Sequence, residues 1–296
     1  MEVIINEVGL RDGLQNQPKI VSTNDKLALL GLLEQAGLKH IEVASFVHPK
    51  AVPQMADAEA VVAGLDFGKN QVYSGLVPNL RGYERGAATG LQEFGLIMSA
   101  SSTFSERNVK MSLEQAYQAC LDVIKACLRE GNRSRVYISC SCACPYEGRI
   151  QEPVVLDLAR RLLDHGAHEV SISDTIGAGT PSQIYNLTQP LVAEYGANAV
   201  NLHVHDTRGA ALAMVWSAYL AGVRMFDASV GGLGGCPFAP GATGNVATED
   251  LVYMFNQSGV NTNIDFEALE PAVAFAEKVT VSSLGGKSMQ WFRSKC

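Results

Sequence analysis

Short apolar segments rich in β-branched residues alternate with longer amphipathic segments along most of the chain. Eight of the short segments predict β-strands because of their length and composition. They are VIINEV from Val3, HIEVASF from His40, QVYSGLV from Gln71, EFGLIMSA from Glu93, RVYISCS from Arg135, HEVSISD from His168, AVNLHVHD from Ala199 and MFDASV from Met225. The segments between them predict helices, as in NDKLALLGLLEQAG from Asn24 and SLEQAYQACLDVIKACLREG from Ser112.

Capping residues and glycines mark the ends of several predicted helices. Ser22 or Thr23 precedes the first helix and Gly37 follows it, while Pro181 lies early in another helix that Gly196 ends. Strands that alternate with helices pair in parallel through right-handed crossovers. Eight such units predict a closed (β/α)8 TIM barrel.

An open doubly wound sheet is less consistent with the sequence. Such a fold would favour a GxGxxG turn after the first strand, where this chain has VGLRDGLQN. No linker or low-complexity segment divides the 296 residues, so we expect a single barrel domain over residues 1–296. The segment beyond about Asn261 is mostly helical in pattern, and we expect it to pack outside the barrel or to cover its mouth.

Composition and charge narrow the possible partners. Hydrophobic residues make up 47% of the chain and charged residues 18%, which is enough to bury a full core. The net charge of −7 disfavours nucleic acid or an anionic membrane as a partner. No run of about 18 apolar residues predicts a membrane span. Together with an N-terminus that lacks a basic leader pattern, this predicts a cytoplasmic protein whose seven cysteines are reduced thiols.

Reactive side chains gather where five of the predicted strands end, which is where TIM barrels carry their active sites. They are Glu7, Arg11 and Asp12 at the first strand, Glu42 and Ser45 in the second, Asp174 and Thr175 at the sixth, His203, His205 and Asp206 at the seventh, and a glycine-rich segment after the eighth. Acids at three strand ends and an HxH pair at another predict a catalytic or metal site at the barrel mouth.

The His203-x-His205 pair carries the clearest chemistry. Residues i and i+2 of a strand point to the same face, so both imidazoles can reach one point inside the mouth. Two histidines with oxygen ligands suit Mg²⁺ or Mn²⁺, while Zn²⁺ or Fe²⁺ is possible. The alternative is a pair of core histidines, but the strand end and the adjacent Asp206 favour a metal.

The acidic and basic candidates each have a plainer alternative. Asp12 is the best carboxylate ligand, although Asp-Gly is also a common turn. Arg11 would be a fixed cation that stabilises an oxyanion, or else a surface arginine. Glu42 would be a buried acid that needs a partner, for which Arg11 is suited. Asp174 would be either a helix N-cap or a substrate contact.

Three further segments are less clearly chemical. The alternating Cys140, Cys142 and Cys144 are more typical of buried free cysteines than of a metal clip, because no fourth ligand lies at zinc spacing. SSTFSERNVKMS from Ser101 predicts a polar loop. The segment GGLGGCPFAPGATGN from Gly231 predicts a long loop that holds the single thiol of Cys236.

Several of these motifs together resemble the 3-hydroxy-3-methylglutaryl-CoA lyase family. They are EVGLRDGLQNQ from Glu7, IEVASFVHPKAVPQMAD from Ile41, LVPNLRGYE from Leu76, CPYEGRI from Cys144, SDTIGAGTP from Ser173, HVHDT from His203 and GGLGGCPFAPGATGNVATEDLVYM from Gly231. The resemblance runs through nearly the whole chain. The wider group includes isopropylmalate and homocitrate synthases, but the glycine–cysteine loop and RDGLQN favour the lyases.

The resemblance implies the activity and the role of each site residue. The activity would be a retro-Claisen cleavage of an acyl-CoA thioester, in which a divalent metal, Mg²⁺ or Mn²⁺, assists loss of the hydroxyl proton. The implied metal ligands are Asp12, His203, His205 and Asn245; Arg11 would stabilise the enolate, Cys236 would transfer a proton, and Glu42 and Asp174 would be acids needed for activity. A homodimer is also implied at the level of the family.

The chain departs from the family pattern directly after HVHDT. Where the lyases usually continue Tyr-Gly-Gln-Ala-Leu-Ala-Asn, this chain has Arg208, Ala210 and Met214 at the aromatic and the two amide positions. Arg208 could bind an extra carboxylate or a CoA phosphate. The sequence therefore leaves open a lyase for another 3-hydroxy-3-substituted acyl-CoA, a Claisen-type synthase, and a non-catalytic metal- or CoA-binding barrel.

Overall fold

A computed structural model describes residues 2–235 and 244–295 of the chain. Eight parallel strands form a closed barrel. The strands are β1 (Ile4–Glu7), β2 (His40–Ser45), β3 (Val72–Leu76), β4 (Glu93–Ser99), β5 (Arg133–Ser139), β8 (Glu169–Asp174), β9 (Val200–Val204) and β10 (Met225–Ala228), with a small antiparallel pair, β6 (Ala143–Cys144) and β7 (Gly148–Arg149), outside the barrel. Their order around the barrel is β1-β10-β9-β8-β5-β4-β3-β2. The predicted (β/α)8 TIM barrel is confirmed.

Helices surround the barrel. They are α1 (Thr23–Gln35), α2 (Ala58–Ala63), α3 (Leu80–Ala87), α4 (Ser102–Asn108), α5 (Leu113–Glu130), α6 (Glu152–Asp164), α7 (Pro181–Tyr195), α8 (Ala211–Leu220), α9 (Thr248–Gln257), α10 (Glu270–Thr280) and α11 (Lys287–Arg293). Among the described residues, no helix is long and apolar enough to cross a membrane.

The predicted helix ends agree with the local hydrogen bonds. The Ser22 side chain caps α1, and Pro181 is the first residue of α7. Ser112 forms a capping box with Gln115 at the start of α5, where each side chain accepts from the other residue's backbone N–H. These bonds satisfy amide groups that the first turn of a helix leaves without partners.

The segment that begins at Ser101 is not the polar loop that its composition predicts. It forms α4, because the Ser101 side chain accepts a hydrogen bond from the Phe104 amide and Phe104 is buried. Glu147, from the β6–β7 turn, accepts from the Thr103 amide at 2.6 Å. A tertiary contact thus supplies a partner for this helix start that composition does not reveal.

The barrel strands separate a polar interior from an apolar outer layer. In β9, Asn201 bonds the side chain of Asp227 inside the barrel, while Leu202 belongs to the apolar core. In β10, Phe226 packs against Phe255 of α9 with ring centroids 5.3 Å apart. Charged and amide side chains therefore point inward, and the helices cover the apolar faces.

The C-terminal segment packs on the outside of the barrel, which is one of the two expected placements. Helix α10 contacts α1, and α11 contacts α9. The turn before α11 also reaches the glycine-rich segment, because the Gly285 amide donates to the Gly231 carbonyl at 3.2 Å.

Candidate metal centre and active site

A π-helical turn after β1 carries Arg11 and Asp12. Residues Gly9–Gly13 form this turn, and the amides of Arg11, Asp12 and Gly13 all converge on the Val8 carbonyl at 3.2, 2.8 and 3.2 Å. The wide turn presents two consecutive charged side chains to the same site, and single π-turns of this kind are frequent at functional sites.

Arg11 is held between two carboxylates. Its Nε and Nη2 donate to Oε2 of Glu42 at 2.9 and 2.8 Å, and its Nη1 donates to Oδ1 of Asp12 at 2.6 Å. The guanidinium also lies 5.6 Å from the ring centroid of Tyr137. Burial opposes the charge, but Glu42 and Asp12 together hold the pKa of Arg11 above its ordinary value. The predicted Arg11–Glu42 pair is present, and Arg11 is not a surface arginine.

The two histidines face each other at the end of β9. Their ring centroids are 5.4 Å apart, as expected for alternate residues on one face of a strand. Burial lowers the pKa of His205 to about 4, so this ring is neutral at physiological pH. Burial also opposes the charge on His203, but a hydrogen bond to Asp227 and the charges of Asp227 and Asp12 raise its pKa above the ordinary value.

Asn245 reaches the site from the far side of the glycine-rich segment. It forms an antiparallel bridge with His205, and the next amide, of Val246, donates to the Val204 carbonyl at 3.2 Å. The Asn245 side chain donates to Oδ2 of Asp12 at 2.8 Å and to the Leu233 carbonyl at 3.0 Å. It therefore joins the two ends of this segment to the turn that carries Asp12.

The donor set fits a divalent metal. Ligand atoms of Asp12, His203 and His205 lie within 4.8 Å of one another. Among the described residues, the buried atoms that have no hydrogen-bond partner include Nδ1 of His205 and Oδ1 of Asn245. Although burial opposes it, Arg11 and the two histidines lower the pKa of Asp12 to about 2, so its carboxylate is ionised. Nitrogen and oxygen donors without thiolate suit Mg²⁺, Mn²⁺, Zn²⁺ or Fe²⁺.

The other predicted site residues are placed differently. Asp174 is buried at the end of β8, and its carboxylate accepts from the amides of Ala178 and Gly179 at 3.1 and 2.7 Å. Burial raises its pKa, although these amides oppose the shift. It thus organises the loop after β8, and its side-chain hydrogen bonds to described residues do not include Arg11 or Asp12. Cys236 lies outside the described residues.

Cys140, Cys142 and Cys144 are all buried, and Cys142 and Cys144 are free thiols, as the lack of a fourth ligand at zinc spacing indicated. Ser101 donates a hydrogen bond to Sγ of Cys144 at 2.9 Å, which ties this segment to the start of α4. Among the described residues, these thiols form no metal cluster.

The residues that depart from the family pattern border the loop after β8. Arg208 is exposed, and its Nη1 donates to the carbonyls of Ile176 and Gly177 at 2.7 and 3.0 Å. Met214 is fully buried, and its Sδ would lie 3.1 Å from a Cβ added at Gly179. At the rim of the barrel mouth, therefore, the Arg208 guanidinium lies near Asp174 and the Met214 thioether lies beneath the loop after β8.

Sequence reasoning missed the polar residues beneath the metal centre. They are Asn6, Tyr137, Asn201 and Asp227, all of which are buried inside the barrel. Tyr137 bonds Glu42, and Asp227 bonds His203. The two asparagines bond Asp227. The signal was available for Asp227, because MFDASV places an acid within a buried parallel strand, as IEVAS does for Glu42. The two asparagines and the tyrosine have no comparable signal.

The fold and the site define a TIM-barrel protein with a candidate divalent-metal centre and a fixed arginine at the carboxyl ends of its strands. A family model described as HMGL-like matches residues 2–275, and the chain belongs to this family. Its relatives at 41–43% identity over nearly the whole chain are carbon–carbon lyases.

Two relatives and one solved structure show how far the similarity extends. A hydroxymethylglutaryl-CoA lyase of Bacillus subtilis is 41% identical over 99% of this chain and 98% of its own length. A 3-hydroxy-3-isohexenylglutaryl-CoA/hydroxymethylglutaryl-CoA lyase of Pseudomonas aeruginosa is 42% identical over 92% of this chain and 90% of its own. The structure of an HMG-CoA lyase from Acinetobacter baumannii with coenzyme A and 3-methylmalate has a TM-score of 0.93, 36% identity, and coverage of 98% of this chain and 94% of that one.

Proposed function

We propose that this protein cleaves 3-hydroxy-3-methylglutaryl-CoA to acetyl-CoA and acetoacetate. The observation that carries the proposal is the meeting of Arg11, Asp12 and Glu42 with His203, His205 and Asn245 at one barrel mouth. Relatives named as lyases for this thioester, and a similar structure with coenzyme A, support it. In the reaction the tertiary alkoxide collapses to the ketone of acetoacetate, the C–C bond breaks, and its electron pair forms the acetyl-CoA enolate, which takes up a proton.

In our proposal Asp12, His203, His205 and Asn245 hold Mg²⁺ or Mn²⁺. When bound, such an ion supplies Lewis-acid stabilisation to the oxygen that loses its proton. The chain contributes an ionised carboxylate at Asp12 and a neutral imidazole at His205, both of which the structure supports through their pKa values of about 2 and about 4. Neither side chain therefore needs to lose a proton at neutral pH before it can bind a cation.

Arg11 is proposed to stabilise the enolate oxygen of the departing acetyl-CoA. Its guanidinium stays protonated at physiological pH, and three hydrogen bonds to Glu42 and Asp12 fix its orientation before substrate binds. A preorganised cation of this kind lowers the energy of a developing oxyanion without reorganisation. Glu42 acts by holding Arg11, because the hydrogen bonds from Nε and Nη2 of Arg11 both end on Oε2 of Glu42.

The role of Cys236 rests on the sequence resemblance. We propose that Cys236 donates the proton to the enolate carbon. For Asp174 we propose a role in shaping the loop after β8, because its carboxylate accepts from two amides of that loop. A substrate contact by Asp174 stays a prediction.

A second candidate substrate is a related 3-hydroxy-3-substituted glutaryl-CoA. Arg208 and Met214 change the charge and polarity of the mouth rim next to Asp174, and one relative is named for an isohexenyl-substituted thioester as well as the methyl one. A buried thioether favours an apolar substituent more than an amide does. The reaction type is the same in both cases.

A panel of CoA thioesters tests the proposal. Purified protein with Mg²⁺ is incubated with the methyl compound and with ethyl, isohexenyl and carboxymethyl analogues, and acetyl-CoA is measured. We expect acetyl-CoA from the methyl compound. If only another analogue is cleaved, that analogue is the substrate. If the protein instead consumes acetyl-CoA together with a 2-oxo acid, it is a synthase and not a lyase.

We also propose a cytoplasmic location and a homodimer. The first is supported by a Danio rerio relative that is named as a cytoplasmic lyase and is 43% identical over 99% of this chain, and the second by the family resemblance. Light scattering coupled to size-exclusion chromatography tests the dimer directly, since a single chain has a mass of 31.6 kDa.

A further inference from the structure

Asp227 lies beneath His203 and accepts a hydrogen bond from it. The distance from Nδ1 of His203 to Oδ2 of Asp227 is 3.0 Å, and both side chains are buried. An ionised carboxylate can only accept, so the hydrogen must be on Nδ1. Nε2 is then the nitrogen of this ring that is left for a metal.

The carboxylate of Asp227 is itself held from three sides. Its Oδ1 accepts from Nδ2 of Asn6 at 2.8 Å and from Nδ2 of Asn201 at 2.6 Å. These residues lie on β1 and β9, the two neighbours of β10 in the barrel. A guanidinium nitrogen of Arg135 lies 3.8 Å from the same oxygen. Asp227 therefore presents Oδ2 to His203 in one orientation.

His205 has no comparable support. Its Nδ1 is buried without a hydrogen-bond partner among the described residues. The two imidazoles of the HxH pair thus differ: one is fixed from below by a carboxylate, and the other is placed by its backbone, which bridges to Asn245. The rigid member of the pair is His203.

We propose that Asp227 is the positioning residue of the metal centre. It fixes the tautomer and ring orientation of His203 and so directs Nε2 toward the cation, as outer carboxylates do for metal-bound histidines in general. The inference rests on the proposed metal function of Asp12, His203 and His205. It adds a residue on β10 whose effect is on cation binding.

Mn²⁺ binding tests the inference. The affinity of wild type and Asp227→Asn is measured from the electron paramagnetic resonance signal of free Mn²⁺, without substrate. We expect Asp227→Asn to bind about 10–100-fold more weakly, the usual cost of losing such a partner. Glu169→Gln is the matched control, because Glu169 is an equally buried barrel carboxylate that pairs with Arg135 and has no contact with His203. Equal losses in both variants would overturn the inference.

The tautomer of His203 gives a second readout, which is measured in the wild-type protein. In wild-type protein saturated with Mg²⁺, the ¹⁵N resonances of His203 are assigned by their loss in His203→Gln. We expect the hydrogen on Nδ1, and a hydrogen on Nε2 would overturn the inference. Thioester cleavage by the wild type is measured separately. If the wild type cleaves the thioester and Asp227→Asn binds Mn²⁺ as tightly as the wild type, only the role of Asp227 is removed. If the wild type binds Mn²⁺ tightly but does not cleave the thioester, only the proposed reaction is removed.

Discussion

Arg11, which is proposed to stabilise the enolate, lies between two carboxylates. A buried arginine could be neutralised by one carboxylate, yet Arg11 has two, one on each edge of its guanidinium. Glu42 holds Nε and Nη2 together, which a lysine cannot reproduce because its ammonium is a single point donor. The orientation of this cation, more than its charge, is what the surrounding residues maintain.

Arg11→Lys is therefore expected to lower kcat for thioester cleavage by about 100- to 1,000-fold, the usual cost of removing one preorganised oxyanion donor. Mn²⁺ affinity is expected to change much less, because lysine keeps a positive charge beside Asp12. Steady-state kinetics with Mn²⁺ titrations measure both. The control is Arg81→Lys, an exposed arginine on α3. A kcat within about threefold of wild type would remove Arg11 from the proposed role.

Arg208 allows a second test at the level of single residues. Its Nη1 is tied to the loop after β8, so its charge is fixed at the rim of the mouth. We expect Arg208→Ala to raise KM for the thioester by roughly tenfold with little change in kcat, the signature of a lost binding contact. Arg208→Lys, which keeps the charge, is the control. If Arg208→Ala lowers kcat instead, then the tether to the loop of Asp174 matters and an anion contact does not.

Two buried glutamates connect β1, the ends of the glycine-rich segment and the C-terminal segment. Glu7 accepts from the Gly9 and Val230 amides and from the Thr248 hydroxyl at 2.7, 2.9 and 2.6 Å. Glu249 accepts from the amides of Gly231 and Gly286 at 3.0 and 2.6 Å. These hydrogen bonds hold together the segments that carry Arg11, Asp12 and Asn245.

The stability of this junction is expected to depend on pH. Burial raises the pKa of Glu7 from 4.5 to about 7. The folded state therefore keeps a proton that the unfolded state has lost, and the free energy of unfolding falls as pH rises from 4.5 to 7, by up to about 1.4 kcal/mol per pH unit. Burial raises the pKa of Glu249 to about 6, with an effect of the same sign.

Urea unfolding of wild type and Glu7→Gln between pH 5 and 8 checks this expectation. Glu7→Gln should show a shallower loss of stability with rising pH, because glutamine cannot titrate. Glu106→Gln, at an exposed carboxylate on α4, is the control and should follow the wild-type curve. Parallel curves for wild type and Glu7→Gln would show that Glu7 does not titrate in this range.

At the scale of the whole molecule, the barrel was predictable because it repeats. Eight strand–helix units imply a closed sheet, and a closed sheet brings all the strand ends to one mouth, so Arg11, Asp12 and the HxH pair could be placed together from sequence. The predicted Arg11–Glu42 pair followed from the rule that a buried acid needs a partner. These inferences needed only local pattern and topology.

The parts that escaped prediction depend on contacts between distant residues. Asn6 and Asp227 are 221 positions apart and meet only because β1 closes the barrel against β10. In the π-helical turn several amides converge on one carbonyl, and no residue type in the sequence predicts this arrangement. At the start of helix α4, the Thr103 amide donates to Glu147 of the distant β6–β7 turn. Sequence patterns specify which face of an element is buried, but not which polar groups find each other inside.

This barrel is proposed to be a metal-dependent lyase for 3-hydroxy-3-methylglutaryl-CoA. The most direct test measures acetyl-CoA and acetoacetate formed from this thioester by wild type and Asp12→Asn, after treatment with a chelator and after addition of Mn²⁺. We expect the two products in equal amounts from wild type with Mn²⁺, loss of activity on chelation, and a rate at least about 100-fold lower in Asp12→Asn. Equal rates with and without chelator would contradict the proposed metal dependence. No cleavage by a folded, Mn²⁺-bound wild type would contradict the proposed reaction.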